Sequence, residues 1–259
     1  MLAFLSLLFF SAPTVWRPLT PLPFESFNTA SQVPKDELDR VLQQASRGYN
    51  KTLIITVLNK AYTEKNGMLD LFLRSFRLGK GTKPLLDRLL LTADTDVMWL
   101  RNPFLKLNQS SEIDIQFTCD GFNGRPEDES NPLNTGFFFV RSNNKSIALF
   151  DKWYDARNNS GGMKEQDVLL QMIKNGTLRE RGIRTRYLDT RYFGGFCHDY
   201  RDFSRVTTMH ANCCRTVRAK LIDLSLVLED WKTYRNGSVV PHNPHKTCLI
   251  DSWDELKGH

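Results

Sequence analysis

Apolar runs alternate with segments of helical periodicity along most of the chain. Thr52–Leu58 is β-branched and apolar without polar alternation, which is typical of a buried parallel strand. Met68–Leu78 then carries apolar residues at helical spacing, and Leu85–Ala93 returns to strand character. Further along, the pattern predicts strands at 113–118, 136–141, 183–188 and 207–210, and helices at 37–49, 146–158, 165–174 and 215–228. Strands that alternate with helices predict an α/β sheet with parallel strands.

The two ends of the chain differ from this pattern. Met1–Phe10 is almost wholly apolar but too short to span a bilayer comfortably, and it resembles the core of a signal peptide. The following segment is rich in proline and has no helical periodicity, which suits an extended stem. We therefore divide the chain into a signal peptide or clipped membrane anchor (1–16), a stem (17–36), one folded domain (37–253) and a tail (254–259).

Composition changes this picture in two ways. The net charge of +6 is modest, the basic residues are scattered and no nucleic-acid-binding motif accompanies them, so we expect no nucleic-acid partner. Six Asn-X-Ser/Thr sequons favour a lumenal address, and they begin at Asn50, Asn108, Asn144, Asn158, Asn175 and Asn236. Five cysteines are compatible with disulfides there but leave one unpaired. The adjacent Cys213 and Cys214 would bridge to distant partners more easily than to each other.

The candidate chemistry begins with two acidic residues. Asp94 and Asp96 follow the apolar run Leu89–Leu91 directly and precede Val97–Trp99. Residues two apart on an extended chain point to the same side, and two carboxylates on one side repel each other unless a cation lies between them. Hard divalent cations accept oxygen ligands and leave coordination positions open for phosphate oxygens. The pattern thus predicts a metal site that holds a nucleotide diphosphate.

Five spaced motifs extend this prediction to a family. They are ADTDVMWLRNPF at 93–104, LNTGFFFVRSN at 133–143, KEQDVL at 164–169, YLDTRYFGGFC at 187–197 and MHANCC at 209–214. In this order they resemble the plant nucleotide-diphospho-sugar transferases, which include cell-wall xylosyltransferases and arabinosyltransferases. The resemblance runs from about Glu37 to Trp253.

The resemblance implies an α/β fold of the GT-A type, with a Rossmann-like mixed sheet flanked by helices in a single domain. It also implies a Golgi membrane or lumenal location, a UDP-sugar donor, Mn²⁺ or another divalent ion, and retention of anomeric configuration. The acceptor would be a cell-wall polysaccharide or a glycoprotein, and the N-terminal segment could attach the protein to the membrane.

The resemblance also assigns the metal and nucleotide ligands. Asp96 would bind the ion that bridges the two phosphates, and Asp94 would be shared between the ion and the ribose. His210 matches the later histidine of the family and would complete the metal shell. Mixed oxygen and imidazole ligation suits Mn²⁺ better than Ca²⁺.

The sugar side of the site is less sharply defined. Asn134, Thr135 and Gly136 would line the donor-sugar or acceptor side, although the same residues also suit a strand-entry turn. Gln166 and Asp167, at the start of a predicted helix, are the catalytic candidates, with Asp167 contacting the sugar or holding the acceptor hydroxyl. Asp120, after a predicted strand, is a weaker candidate for contact with the sugar.

The chain departs from the family pattern ahead of the acidic motif. Only about forty residues separate the first strand from the acidic pair. Two crossover units would require more, because each needs roughly thirty residues. We therefore expect an N-terminal half shortened near Lys83–Asp94, lower stability than in a full-length relative, and weak binding of UDP-sugar.

Two alternatives to an active transferase follow from the sequence. One is a truncated, catalytically inactive relative that acts as a binding protein. The other is a haloacid-dehalogenase-type phosphatase, in which Thr or Val usually stands where this chain has Met98 and whose later motifs do not fit.

Overall fold

The computed structural model describes residue 40 and residues 53–57, 60–92, 95–198, 202–240 and 245–251. The signal or anchor segment, the stem, the tail, most of the helix predicted at 37–49 and Asp94 lie outside the described residues. The strands are β1 (Ile54–Val57), β2 (Leu89–Thr92), β3 (Val97–Trp99), β4 (Ile115–Cys119), β5 (Leu133–Val140), β6 (Thr185–Tyr187), β7 (Phe193–Gly195) and β8 (Thr208–His210). The α-helices are α1 (Met68–Leu78), α2 (Asn144–Ala156), α3 (Glu165–Lys174), α4 (Thr177–Glu180) and α5 (Val217–Arg235).

The strands form three small sheets flanked by helices, which gives a mixed α/β domain consistent with a GT-A-like fold. β1 and β2 pair in parallel, with Ile54 opposite Leu89. The second sheet has the order β3-β8-β7 and the third the order β5-β4-β6. Each of these two contains one antiparallel and one parallel pair. The predicted parallel pairing is therefore found in three of the five described strand pairs, and the mixed α/β architecture implied by the resemblance is confirmed.

Several element boundaries differ from the predicted ones. β5 begins at Leu133, so that Asn134, Thr135 and Gly136 lie inside a strand rather than in a turn that precedes it. α5 continues to Arg235 because its buried face extends as far as Trp231. β7 was missed because two of its three residues are glycine, which has low strand propensity.

The two largest of three hydrophobic clusters among the described residues support the sheets. In the first, the ring of Phe76 from α1 stacks on Trp99 from β3 at a centroid distance of 4.7 Å, and the indole N–H of Trp231 donates to the carbonyl oxygen of Leu78 at 3.1 Å. In the second, the indole N–H of the buried Trp153 donates to the carbonyl oxygen of Glu165 at 2.9 Å. This bond fixes the start of α3, where the catalytic candidates were predicted.

Asp114 anchors the end of the third sheet that lies away from Asp120. Its buried carboxylate accepts from Lys145 Nζ at 2.8 Å, from the backbone N–H of Arg184 at 2.8 Å and from Asn143 Nδ2 at 2.7 Å. Burial alone would raise the pKa of Asp114, but these donors outweigh it and hold the pKa below its ordinary value. Because Asn143 also caps α2, one carboxylate ties a strand to a helix.

Replacing Asp114 with asparagine should lower the free energy of unfolding by about 2 kcal/mol at neutral pH, since hydrogen bonds to a buried charge are lost. A folded-state pKa below the unfolded value means that the carboxylate stabilises the fold fully above the ordinary Asp pKa of 3.8 and less as pH falls below it. Denaturant unfolding at a series of pH values should therefore show the difference between wild type and Asp114→Asn shrinking in acid. A difference that stays constant with pH would contradict this.

Within the described residues, no helix combines the length and the apolar character that crossing a membrane requires.

Candidate active site

Strand register brings Asp96 and His210 to the same end of the second sheet. β3 begins directly after Asp96, β8 ends at His210, and Val97 lies opposite His210 in the antiparallel pair. The backbone N–H of Ala211 donates to the carbonyl oxygen of Asp96 at 2.9 Å and extends this pairing by one bond. Two residues that are distant in sequence are thereby placed side by side.

The carboxylate of Asp96 is buried beside Lys220 and His210. It is 1% exposed, and its Oδ2 accepts from Lys220 Nζ at 2.6 Å. His210 Nε2 lies 3.5 Å from Oδ1, longer than a hydrogen bond, and Oδ1 has no hydrogen-bond partner among the described residues. Burial alone would raise the pKa of Asp96, but the Lys220 charge and the His210 ring hold it well below its ordinary value. Asp96 is therefore an ionised carboxylate with one oxygen available.

This arrangement fits part of a divalent-metal site. A carboxylate oxygen and an imidazole nitrogen that face each other are ligand types that Mn²⁺ accepts. Within the described residues, no three acidic, histidine or cysteine side chains converge. Asp94, the third predicted ligand, lies outside those residues. The described part of the chain thus supplies two of the three predicted ligands, Asp96 and His210.

Gly136 makes room for the imidazole of His210. A Cβ at position 136 would lie 2.6 Å from Nδ1 and 2.8 Å from Nε2 of that ring, and closer still to Cε1. Gly136 does not have a positive φ, so the need for glycine here is steric rather than conformational. β5 of the third sheet therefore packs directly against the histidine of the second.

We expect Gly136→Ala to displace the His210 ring and to weaken Mn²⁺-dependent binding of UDP by about tenfold or more. The free energy of unfolding should fall by about 1–3 kcal/mol, because the added methyl overpacks the contact. Calorimetric titration and denaturant unfolding measure the two effects. Gly121→Ala is the matched control, since its Cβ would find no atom nearer than 3.8 Å. Unchanged UDP binding in Gly136→Ala would show that the ring position is unimportant.

A second polar group lies beside this pair. Asp120 follows β4, and its Oδ1 accepts from Asn134 Nδ2 at 2.8 Å and from Asn212 Nδ2 at 2.7 Å. Asn134 Oδ1 in turn accepts from the backbone N–H of Gly136 at 2.8 Å. The structure thus brings Asp120, Asn134 and Gly136 together with His210.

The catalytic candidates on α3 are separated by the structure. Gln166 Oε1 accepts from the backbone N–H of Thr135 at 3.0 Å, which places the glutamine against β5. The Thr135 hydroxyl lies 3.4 Å from Glu165 Oε1. Asp167 is exposed on the helix, with a backbone bond to Lys164. Gln166 therefore contacts the described site through Thr135, and Asp167 has no described contact with it.

A small cleft joins these elements. Residues from β4, β5, β7 and β8 line it, among them Cys119, Asn134, Gly195, His210 and Asn212. Burial raises the pKa of the Cys119 thiol to about 12, so that the free cysteine stays protonated. Cys119 therefore contributes a small apolar wall rather than a nucleophile.

Two site residues were missed by sequence reasoning. Lys220 lies within α5. A lysine in a predicted helix gives no sign that it pairs with the buried Asp96, 124 positions earlier. Asn212 stands inside the MHANCC motif, and only its place two residues after His210 could have indicated it.

Two disulfides hold the segment that follows β8. Cys213 pairs with Cys197 and Cys214 pairs with Cys248, while Cys119 is free. The expectation that the adjacent cysteines bridge to distant partners is confirmed. The first disulfide joins the segment after β7 to the residue after Asn212, and the second joins Cys214 to the helical segment Thr247–Asp251.

Comparison with known proteins decides the family. The model of the nucleotide-diphospho-sugar transferase family matches residues 88–224, more than half of the chain and the whole of the region from Asp96 to Lys220. The chain belongs to the nucleotide-diphospho-sugar transferase family. It is accordingly a glycosyltransferase by family, and the recognition from five motifs is confirmed.

The relatives of this transferase include plant proteins of similar extent. It is 39% identical to the uncharacterized protein At1g28695 of Arabidopsis thaliana, over 87% of each chain. It is 34% identical to the uncharacterized protein At4g15970 of the same plant, over 88% of this chain and 78% of that one. It is also 26% identical to the UDP-galactose:fucoside alpha-3-galactosyltransferase of Dictyostelium discoideum, over 51% of this chain and 23% of that protein.

The alignment with the first relative bears on the expected shortening. It extends over 292 positions, more than the 259 residues of this transferase, although it includes only 87% of them. The relative therefore has residues at several tens of positions where this chain has none. The position of that difference near Lys83–Asp94 stays a prediction.

Proposed function

We propose that this transferase moves a sugar from a UDP-sugar donor with the help of a divalent ion held by Asp96, His210 and Asp94. One observation carries the proposal: Asp96 Oδ1 is buried, faces His210 Nε2 and has no hydrogen-bond donor among the described residues. A site with this donor set, inside a nucleotide-diphospho-sugar transferase, suits a metal–diphosphate complex.

The charges of the site suit a diphosphate leaving group. When bound, Mn²⁺ or a similar ion supplies positive charge that stabilises the UDP anion as the sugar–phosphate bond breaks. Lys220, which is mostly buried beside Asp96, adds an ammonium group whose N–H donors can bind phosphate oxygens. The attraction of the ion and of Lys220 for the diphosphate is stronger beside the buried Asp96 than in water, because the local dielectric constant is lower.

The sugar, the acceptor and the address extend the proposal. We infer a polysaccharide or glycoprotein acceptor in the Golgi, with retention of anomeric configuration, on the resemblance to cell-wall xylosyltransferases and arabinosyltransferases. The two disulfides support an oxidising compartment. The name of the Dictyostelium relative makes UDP-galactose a reasonable first donor to test.

Hydrolysis of UDP-sugars tests the proposed function. The purified full chain is incubated with UDP-galactose, UDP-xylose or UDP-arabinose, in Mn²⁺ and again with EDTA, and released UDP is measured. We expect release from at least one donor that stops when EDTA removes the metal. Release that EDTA does not affect would contradict the metal-dependent reaction.

A second candidate is a catalytically inactive relative that binds nucleotide or glycan. The Arabidopsis relative At1g28695 aligns over more positions than this chain has residues, and a shortened chain favours the inactive relative. The β1–β2 sheet also favours it, because this sheet pairs with no other described strand. Binding of UDP without hydrolysis of any donor would select this candidate over the active enzyme.

A further inference from the structure

The carboxylate of Asp120 is held by one oxygen and open at the other. Both amide donors, Asn134 Nδ2 and Asn212 Nδ2, bind Oδ1. In the described part of the chain no donor contacts Oδ2, and Asp120 is only partly buried beside Cys119, Asn134 and Asn212, which line the cleft. A carboxylate fixed in this way presents a free acceptor oxygen in a defined direction.

Asn212 is itself fixed on the side away from Asp120. The backbone N–H of Cys197 donates to Asn212 Oδ1 at 3.1 Å, which determines which end of the amide faces Asp120. A Cβ at Gly195 would lie 2.7 Å from Nδ2 and 2.8 Å from Cγ of Asn212, so that the glycine allows the amide to lie against β7. The Cys197–Cys213 disulfide then joins the two backbone segments that hold it.

We propose that Asn212 is a positioning residue that orients Asp120, so that Asp120 Oδ2 accepts a hydrogen bond from a sugar hydroxyl. The inference rests on the proposed function, since it names the sugar subsite of the same cleft.

β5 connects Asp120 to the metal candidate. Asn134 Nδ2 donates to Asp120 Oδ1, Gly136 contacts the His210 ring, and Asn134 Oδ1 accepts from the backbone N–H of Gly136 at 2.8 Å. A sugar between the metal candidate and Asp120 would be either the donor sugar on the diphosphate or the acceptor sugar next to it.

The test compares three variants of the full chain. Asn212→Ala removes the donor to Asp120, and Asn212→Asp keeps the shape but replaces the donor with a second carboxylate. Asn143→Ala is the matched control, because Asn143 Nδ2 donates to Asp114 at 2.7 Å beyond the opposite end of β4. The control should lose stability without any effect on sugar binding.

Two measurements separate the sources of the sugar. Calorimetry in Mn²⁺ gives the affinity for UDP-galactose relative to UDP, and ligand-detected NMR in the presence of UDP gives the binding of free galactose and fucose. In both Asn212 variants we expect UDP affinity to change by less than about twofold, and one of the two sugar signals to fall about tenfold or more, as for the loss of one hydrogen bond.

Each outcome has one meaning. Loss of the preference for UDP-galactose assigns Asp120 to the donor sugar, and loss of free-sugar binding assigns it to the acceptor. Three results would overturn the inference while the proposed function stands. The Asn212 variants could leave both sugar signals unchanged, the wild type could give neither signal, or Asn143→Ala could reduce the signals as much as the Asn212 variants do. Absence of UDP binding by the folded wild type would overturn the proposed function, and this inference with it.

Discussion

Replacing Asp96 with asparagine is expected to weaken the Mn²⁺-dependent binding of UDP by about 100-fold or to the limit of detection. The substitution removes the ionised oxygen that faces His210 and takes this counter-charge from the mostly buried Lys220 ammonium. Breaking such a buried pair costs about 3–5 kcal/mol of stability, so UDP binding must be measured beside thermal unfolding.

Two further variants keep this experiment decisive if Asp96→Asn unfolds. The double variant Asp96→Asn/Lys220→Met removes both charges and should recover most of the lost stability without recovering metal-dependent binding. Asp114→Asn is the matched control, because it neutralises another buried aspartate with a lysine partner far from the cleft. A folded Asp96 variant that still binds UDP more tightly in Mn²⁺ than in EDTA would refute the assigned role of Asp96.

Reduction of the disulfides is expected to lower the midpoint of thermal unfolding by about 10 °C or more. The pairs close loops of 16 and 34 residues, and each such constraint contributes about 3 kcal/mol. The Cys197–Cys213 bond also borders Asn212, so sugar binding should weaken before the fold is lost.

Thermal unfolding with and without a reductant measures this effect. Cys119→Ser is the control, since that free thiol takes part in neither disulfide and its response to the reductant should equal that of wild type. The same midpoint in oxidised and reduced protein would contradict the stabilising role of the disulfides.

Asp96 and His210 could be proposed as site residues from the local sequence and the family resemblance. Asp96 stands at the end of an apolar run, and the resemblance carried His210 with it. Their contact depends on the antiparallel register of β3 and β8, two strands of three residues each that are separated by more than a hundred positions. Lys220 arrives from a helix packed on the other side of the carboxylate, and no short-range pattern specifies such an approach.

The sequence offered two interpretations of Gly136, a residue beside the sugar or part of a strand-entry turn. The structure places it inside β5, where the missing Cβ leaves the space that the His210 ring occupies. Only the packing of one sheet against another shows this requirement. Similarly, the sequence placed Gln166 and Asp167 on one helix start, but it could not show that only Gln166 faces β5.

Titration of the purified full chain with UDP, first in Mn²⁺ and then with EDTA, tests whether a metal ion holds the diphosphate in this site. We predict binding that is at least about tenfold tighter in Mn²⁺ than in EDTA, because the ion held by Asp96 and His210 neutralises the diphosphate. Equal affinity under the two conditions, or no binding by a chain that unfolds cooperatively on heating, would contradict this prediction.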